Sequence, residues 1–318
     1  MHSDVGSSAT RKDTIVDKTT SLHDAIAKYV RPGMTIALEG FGHLVPVAAA
    51  HEIIRQRIQG LTLARMSGEL FIDQLLAGEC LDKIIISFMG NSSAGSLQEV
   101  RRRVEKQYPR SLEIEEYSHG GLVARYLAGA SKLPFMPTKS YRGSDMVVGH
   151  EGIREVIDPF TGESFYAVAP LNPDVSIIHA QRADRHGNVQ AWGILGMQQE
   201  VAFAGRKVIV TVEEIVDDEV IRSDPNRTIV PATIVDAVVE VPWGSFPSSV
   251  QGYYSRDDAF IRQWAELARD HDQIVEWLDT NIHATASYAE WVALQEPQRW
   301  RELAVTPQYS QPVNYGSR

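Results

Sequence analysis

Apolar and polar positions alternate along this chain in blocks that switch between helical and strand spacing. Behind a capping box formed by Ser21 and Asp24, the residues Leu22, Ala25, Ile26 and Val30 recur on one helical face, and Arg31-Pro32-Gly33 ends the run. A short apolar strand over 35–38 follows. It is broken by Gly40-Phe41-Gly42-His43, and beyond Pro46 the spacing of Val47, Ala50, Ile53 and Ile54 predicts a helix to residue 57. The alternation recurs as a strand over 61–64 with a helix over 70–77, and as a strand over 83–89 with a helix through Leu97, Val100 and Val104. A fourth round has a strand over 112–117 and a helix over 122–130. The triplet Ile84-Ile85-Ile86 makes the third strand apolar on both faces, as the interior of a parallel sheet requires. Four such rounds predict an α/β fold: an open, largely parallel sheet flanked by helices.

The middle breaks this rhythm. Pro134, Pro137, Arg142 and Gly143 mark loop, and Asp158-Pro159-Phe160-Thr161-Gly162 reads as a turn between strands over 155–157 and 165–168, a small hairpin insertion. Strand spacing returns over 175–180, 207–212 and 234–241, with a polar turn at Asp184-Arg185-His186-Gly187-Asn188 and a helix over 197–204. From Asp257 the spacing is helical through Phe260, Ile261, Trp264 and Leu267, then over 274–278 and 288–294. The expected organisation is a polar, disordered leader over 1–20, one body over 21–295, and an extended or loosely packed tail over 296–318.

Charge and cysteine content narrow the function classes. A net charge of −10 with no basic stripe argues against a nucleic-acid partner. Cys80 stands alone, so no disulfide forms within the chain; the absence of any apolar run near the ~20 residues of a membrane span makes the cytoplasm the expected compartment. Neither a dinucleotide fingerprint, a phosphate loop, a nucleophile elbow nor a zinc-protease motif is present, and the ten histidines show no metal spacing. What stands out is a pair of turns, Gly40-Phe41-Gly42 and Gly90-Asn91-Ser92-Ser93, each between a strand end and a helix. Open α/β sheets bind ligands there. Backbone N–H groups at these turns, with the Ser92 hydroxyl, could stabilise an oxyanion in acyl transfer; alternatively Asn91, Ser92 or Ser93 caps the next helix. His119 is either an acid/base or substrate contact or a loop residue. Glu39 and Glu69 either act as nucleophiles or end a strand and cap a helix. Cys80 has no neighbour that would lower its pKa, which points to packing.

Several segments carry a family resemblance, in order from about residue 21 to 294. They include Asp24-Ala25-Ile26-Ala27-Lys28-Tyr29-Val30 with Pro32-Gly33, Ile36-Ala37-Leu38-Glu39-Gly40-Phe41, Gly90-Asn91-Ser92 and the stretch 115–118. Leu133-Pro134-Phe135-Met136-Pro137, Ile177-Ile178-His179-Ala180-Gln181, Gly187-Asn188-Val189 with Trp192-Gly193, and Val212-Glu213-Glu214-Ile215 follow. Val235-Asp236-Ala237-Val238-Val239, Pro242-Trp243-Gly244 through Ser248, and Gly252-Tyr253-Tyr254 complete the set. Together they resemble the alpha (A) subunits of family I CoA-transferases, most of all the glutaconate type.

The resemblance implies the α/β fold shared with glucosamine-6-phosphate deaminases and ribose-5-phosphate isomerases. It implies a homologous beta (B) subunit bearing the nucleophilic glutamate, in a heterodimer or higher alpha–beta oligomer. An acyl-CoA and a carboxylate are the implied substrates, with no tightly bound cofactor. Ser92 matches the family's active-site serine, with Asn91 beside it, and the backbone of Gly40, Phe41 and Gly42 matches the glycine turn of the alpha subunits. His119 stands where glutaconate-type chains carry an amide. Two departures bear on the substrate: Glu39-Gly40 replaces paired glycines, and His43-Leu44-Val45 fills a stretch that holds a basic residue in the glutaconate type. A CoA-thioester hydrolase or decarboxylase on the same heteromeric fold is the alternative activity, and a sugar-phosphate sensor the remote one.

Overall fold

A computed structural model describes residues 16–91 and 94–305, and its first half closes the elements that the spacing predicts. Helix α1 (Leu22–Tyr29) starts at Ser21, whose hydroxyl oxygen accepts the Asp24 N–H, and leads to β1 (Thr35–Glu39) and α2 (Val47–Arg55). Next come β2 (Leu61–Ser67) with α3 (Phe71–Ala77), β3 (Leu81–Phe88) with α4 (Gln98–Glu105), and β4 (Glu113–Glu116) with α5 (His119–Ala130). The insertion is a separate antiparallel sheet of three strands, β5 (Met136–Thr138), β6 (Ile153–Ile157) and β7 (Ser164–Val168), in the order β5-β7-β6. The main sheet resumes with β8 (Val175–Asp184), β9 (Val189–Gln190), α6 (Gln198–Ala204), β10 (Lys207–Val216), α7 (Asp218–Ser223), β11 (Thr228–Val230) and β12 (Ala237–Glu240). Helices α8 (Asp258–Leu267), α9 (His271–Leu278), α10 (Tyr288–Leu294) and α11 (Pro297–Leu303) follow.

Every pairing along β12-β10-β8-β1-β2-β3-β4 is parallel. Strand period two then sends alternate side chains to two cores. Ile36 and Leu38 of β1 face the core built by α1–α4 and α8–α10, while Ala37 faces the one built with α5 and α6. Chain order reverses between β1, which continues to β2, and β8, which enters from the second half. Open sheets offer ligands a crevice at the carboxyl ends of strands beside such a reversal.

Four segments differ from the sequence reading. Strands β8 and β10 run on to Asp184 and Val216 because, past the end of β1, they still pair with each other (Arg182 opposite Glu214) and β8 with β9. Their polar ends disguised that. Pro297–Leu303, expected to be extended, is helical: Trp300 packs against Trp243 and Phe246, with ring centroids 4.6 and 5.0 Å away. The last residues of the expected leader are bound to the body, since the Lys18 ammonium donates to the carbonyls of Ala232 (2.5 Å) and Val235 (2.7 Å). Among the described residues no helix is long and apolar enough to cross a membrane.

Candidate active site

Strands β1, β2 and β3 end side by side, and a buried arginine ties the first two ends together. Arg65, fully shielded in β2, donates to the carbonyls of Leu38, Gly40 (2.9 Å) and Ser67 (2.5 Å) and pairs with Glu69 Oε1 at 3.2 Å. A buried guanidinium needs both a counter-charge and acceptors for its remaining N–H groups, and the outgoing backbone supplies the latter. Glu69 also accepts the Gly42 N–H at Oε1 (3.0 Å) and the Ser248 hydroxyl at Oε2 (3.0 Å). Glu39 lies beneath the same turn and accepts the Met66 N–H at 2.6 Å. Burial pushes the Glu39 carboxyl up to about 7, against the opposing pull of the Arg65 charge.

The turn after β1 cannot be built without glycine. A Cβ on Gly40 would fall 2.3 Å from the Leu44 carbonyl oxygen, and Gly42 has a left-handed φ of +62°. The segment after β12 straps this turn down: the Ser245 hydroxyl accepts the Val45 N–H (2.6 Å), and Leu44 N–H donates to the Ser249 carbonyl (3.0 Å). His43 bridges two further loops, with Nδ1 2.9 Å from the Ile194 carbonyl and Nε2 accepting the Gln251 N–H at 2.8 Å. These partners assign the Nδ1–H tautomer, and burial holds the ring pKa down, so His43 is neutral.

The N–H groups expected to serve as oxyanion donors in the first turn are consumed within the chain. Gly40 N–H points to Glu39 Oε2 (3.4 Å), Phe41 N–H donates to the His43 carbonyl (3.1 Å), and Gly42 N–H is held by Glu69. The turn therefore presents glycine surface and the half-exposed Phe41 ring rather than N–H groups. Asn91 N–H is likewise engaged, by the Gly95 carbonyl at 2.7 Å.

The structure does bring the two glycine turns to one place. A Cβ on Gly68 would lie 3.0 Å from the Gly90 carbonyl oxygen, so the turns after β2 and β3 touch. Gly42, Glu69, Asn91, Ser248 and Arg256 line one narrow crevice above Val47 and Phe71. Ser92 and Ser93 lie outside the described residues. Asn91 does not cap the next helix: α4 begins only at Gln98, and the Asp73 carboxylate accepts the N–H groups of Gln98 (3.2 Å) and Glu99 (2.9 Å). His119 is the exposed first residue of α5, edge-on to Phe88 at 6.5 Å between ring centroids. It stands three strand spacings from β1, about 14 Å, and does not line the crevice. Burial drives the Cys80 thiol up to about 12, consistent with packing alone.

Residues 19–241 match the sequence pattern of the family described as Coenzyme A transferase. The chain belongs to that family. This CoA-transferase chain is 46% identical over 273 residues to the A-type subunit of the 3-oxoadipate CoA-transferase of Pseudomonas knackmussii, covering 86% of this chain and 96% of that one. The crystal structure of glutaconate coenzyme A-transferase from Acidaminococcus fermentans superposes with a TM-score of 0.86 at 30% identity, over 94% of this chain and 99% of the other. A serine-for-cysteine variant of the decarboxylase AibA/AibB superposes with a TM-score of 0.72, also at 30% identity, over 83% and 99%. Within the CoA-transferases the chain is thus of the alpha (A) type, as its order of motifs implies.

Three residues of the site escaped the sequence reading. Arg65 had a signal, as the charged residue inside the otherwise uncharged run Leu61-Thr62-Leu63-Ala64-Arg65-Met66-Ser67. Ser248 was read only as the end of the family-like segment from Pro242, with no role given, and Arg256 had no signal; both reach the turns from a distant part of the chain, Ser248 and Glu69 lying 179 positions apart.

Proposed function

We propose that this chain is the alpha (A) component of a heteromeric acyl-CoA:carboxylate CoA-transferase, and that a homologous beta (B) subunit closes the crevice and supplies the nucleophilic glutamate. The observation that carries this reading is the state of the chain's own carboxylates. Glu69 spends its oxygens on Gly42, Ser248 and Arg65, and Glu39 is buried beneath them. A nucleophilic carboxylate must instead reach a thioester carbon with an unengaged lone pair. In the proposed cycle the partner's glutamate attacks the acyl-CoA carbonyl, expelling CoA thiolate and leaving an acyl-glutamyl anhydride. The thiolate then attacks the glutamyl carbonyl of that anhydride, which releases the original acid and leaves a glutamyl-CoA thioester. The acceptor carboxylate takes the CoA by the same two steps in reverse, so the thioester's free energy is kept throughout.

This chain contributes the floor of the acyl pocket. Asn91 lines it, and Ser92, its neighbour in sequence, is the expected hydrogen-bond partner for the acyl carbonyl or a distal carboxylate. Gly40 and Gly42 keep side chains out of the way, and Phe41 offers an apolar wall. CoA is a substrate here and leaves after each turnover. A second reading, a decarboxylase or thioester hydrolase, draws support from the likeness to AibA/AibB.

The two separate in one assay. The purified alpha–beta complex is given succinyl-CoA with and without 3-oxoadipate. Transfer predicts a new 3-oxoadipyl thioester and little CoA release without acceptor; rapid CoA release or CO2 evolution without acceptor would overturn it. In the same complex Ser92→Ala is expected to lower turnover about 10- to 100-fold with assembly intact. Unchanged turnover would remove Ser92 from the site.

A further inference from the structure

A chain of buried hydrogen bonds runs from β10 to the glycine turn without entering the crevice. Glu213, in β10, accepts the Trp243 N–H at Oε2 (2.7 Å) and the Tyr254 hydroxyl at Oε1 (2.7 Å), and Oε1 also lies 2.8 Å from His179 Nε2 in β8. The Tyr254 oxygen in turn accepts the Ser245 N–H at 3.0 Å, and the Ser245 hydroxyl accepts the Val45 N–H at 2.6 Å. Burial raises the Tyr254 phenol well above its ordinary pKa, so the hydroxyl keeps its proton and serves Glu213 as a donor. His179, Glu213, Ser245 and Tyr254 are all buried, and none of them lines the crevice.

The segment that these bonds hold is strained. Trp243 has a φ of +64°, a left-handed backbone that is costly for a bulky side chain. It persists because Glu213 takes its N–H while the Tyr288 hydroxyl donates to its carbonyl at 2.9 Å. The same segment carries Ser248, which lines the crevice and donates to Glu69, the acceptor of the Gly42 N–H. Ser245 thus pins the far end of the turn at Val45, and Ser248 pins its middle through Glu69. A shift of the segment would move both, and misplacing reacting groups by about 1 Å can cost about 100-fold in rate.

We propose that Tyr254 and Glu213 are positioning residues for the exchange reaction, holding the glycine turn through Ser245 in the place where it presents the acyl group to the partner's glutamate. The inference rests on the CoA-transferase reading above and deepens it.

The test uses the intact alpha–beta complex with succinyl-CoA and 3-oxoadipate. In Tyr254→Phe kcat is expected to fall about 10-fold, and in Ser245→Ala by a similar factor. Because both residues act along one chain of bonds, the double variant should fall no more than about twofold below the slower single one; independent damage would multiply to about 100-fold. Ile26→Ala, a truncation in the other core, should lower Tm at least as much as Tyr254→Phe yet keep kcat within about twofold. Amide hydrogen exchange gives a readout independent of turnover: the Val45 N–H should exchange about 10-fold faster in Tyr254→Phe. Wild-type kcat in Tyr254→Phe, losses that multiply, a kcat loss in Ile26→Ala as large as that of Tyr254→Phe, or unchanged Val45 exchange would each overturn the proposal. A wild-type complex that transfers CoA to no carboxylate, with Val45 exchange still faster in Tyr254→Phe, would instead count against the transferase reading and leave the hold on the turn standing.

Discussion

Removing the Glu69 carboxylate should loosen the whole floor of the crevice, and the size of the effect follows from its three contacts. Glu69→Ala leaves Arg65, which is 0% exposed, without its counter-charge, and it strands the Gly42 N–H and the Ser248 hydroxyl. Breaking one side of a buried pair costs about 3–5 kcal/mol. The low end applies here, because Arg65 keeps its backbone carbonyl acceptors. The two stranded groups face the crevice, where water enters, so each adds at most about 0.5 kcal/mol rather than a full desolvation penalty. The sum is about 4 kcal/mol. With unfolding entropy near 2.1 cal/mol/K per residue, each kcal/mol lowers Tm of this 318-residue chain by about 1.5 °C, so a thermal melt should shift down by roughly 6 °C. Glu69→Gln keeps an acceptor for one N–H but turns an amide toward Arg65, and should fall between the two. An Ala variant melting within about 2 °C of the wild type would show that the backbone carbonyls hold Arg65 alone and that Glu69 is no clamp.

Three further outcomes are expected. Folded Glu39 keeps its proton to about pH 7, whereas the unfolded chain releases it near the ordinary value of 4.5. The folded state thus binds the extra proton between those values, and Glu39 lowers stability as pH rises through that window, by about 3 kcal/mol in all. Glu39→Gln has no such proton, so its stability relative to wild type should climb between pH 5 and 7 and level off above; parallel urea-unfolding curves across that range would refute the assignment. Gly40→Ala forces a Cβ to 2.3 Å from the Leu44 carbonyl and should cost about 2–4 kcal/mol, read as a lower Tm, whereas an unchanged melt would mean the turn has room to move. Trp300→Ala should cost about 2 kcal/mol by the same melt if α11 is part of the core rather than an appendage.

Strand and helix blocks were readable because burial on both sheet faces leaves a continuous apolar signature, as in Ile84-Ile85-Ile86. The polar halves of β8 and β10 were not, since Arg182 and Glu214 pair as strand residues at a ragged sheet edge that local spacing does not announce. Trp300 could not be placed in the core from its surroundings, Gln298, Arg299 and Arg301. At the site, Gly40 and Gly42 were legible because a close backbone approach and a left-handed φ leave a residue-type signal. The fate of the N–H groups of Gly40, Phe41 and Gly42 was not: the acceptors are a neighbouring carboxylate, a carbonyl two residues on and Glu69, and only the folded turn shows that they are taken. His119 follows a strand end just as Gly40 does, and only the strand order separates them. Arg256 arrives by long-range packing that no local motif encodes, and the family-like segment ending at Ser248 does not announce that its hydroxyl meets Glu69.

The most direct test of the division of labour is to trap the covalent intermediate. The alpha–beta complex is incubated with acyl-CoA and no acceptor, quenched, and both chains are weighed by mass spectrometry before and after digestion. A CoA-sized adduct on a glutamate of the beta chain, with Glu39 and Glu69 of this chain unmodified, is the predicted result; a CoA or acyl adduct on either of those two residues would contradict it.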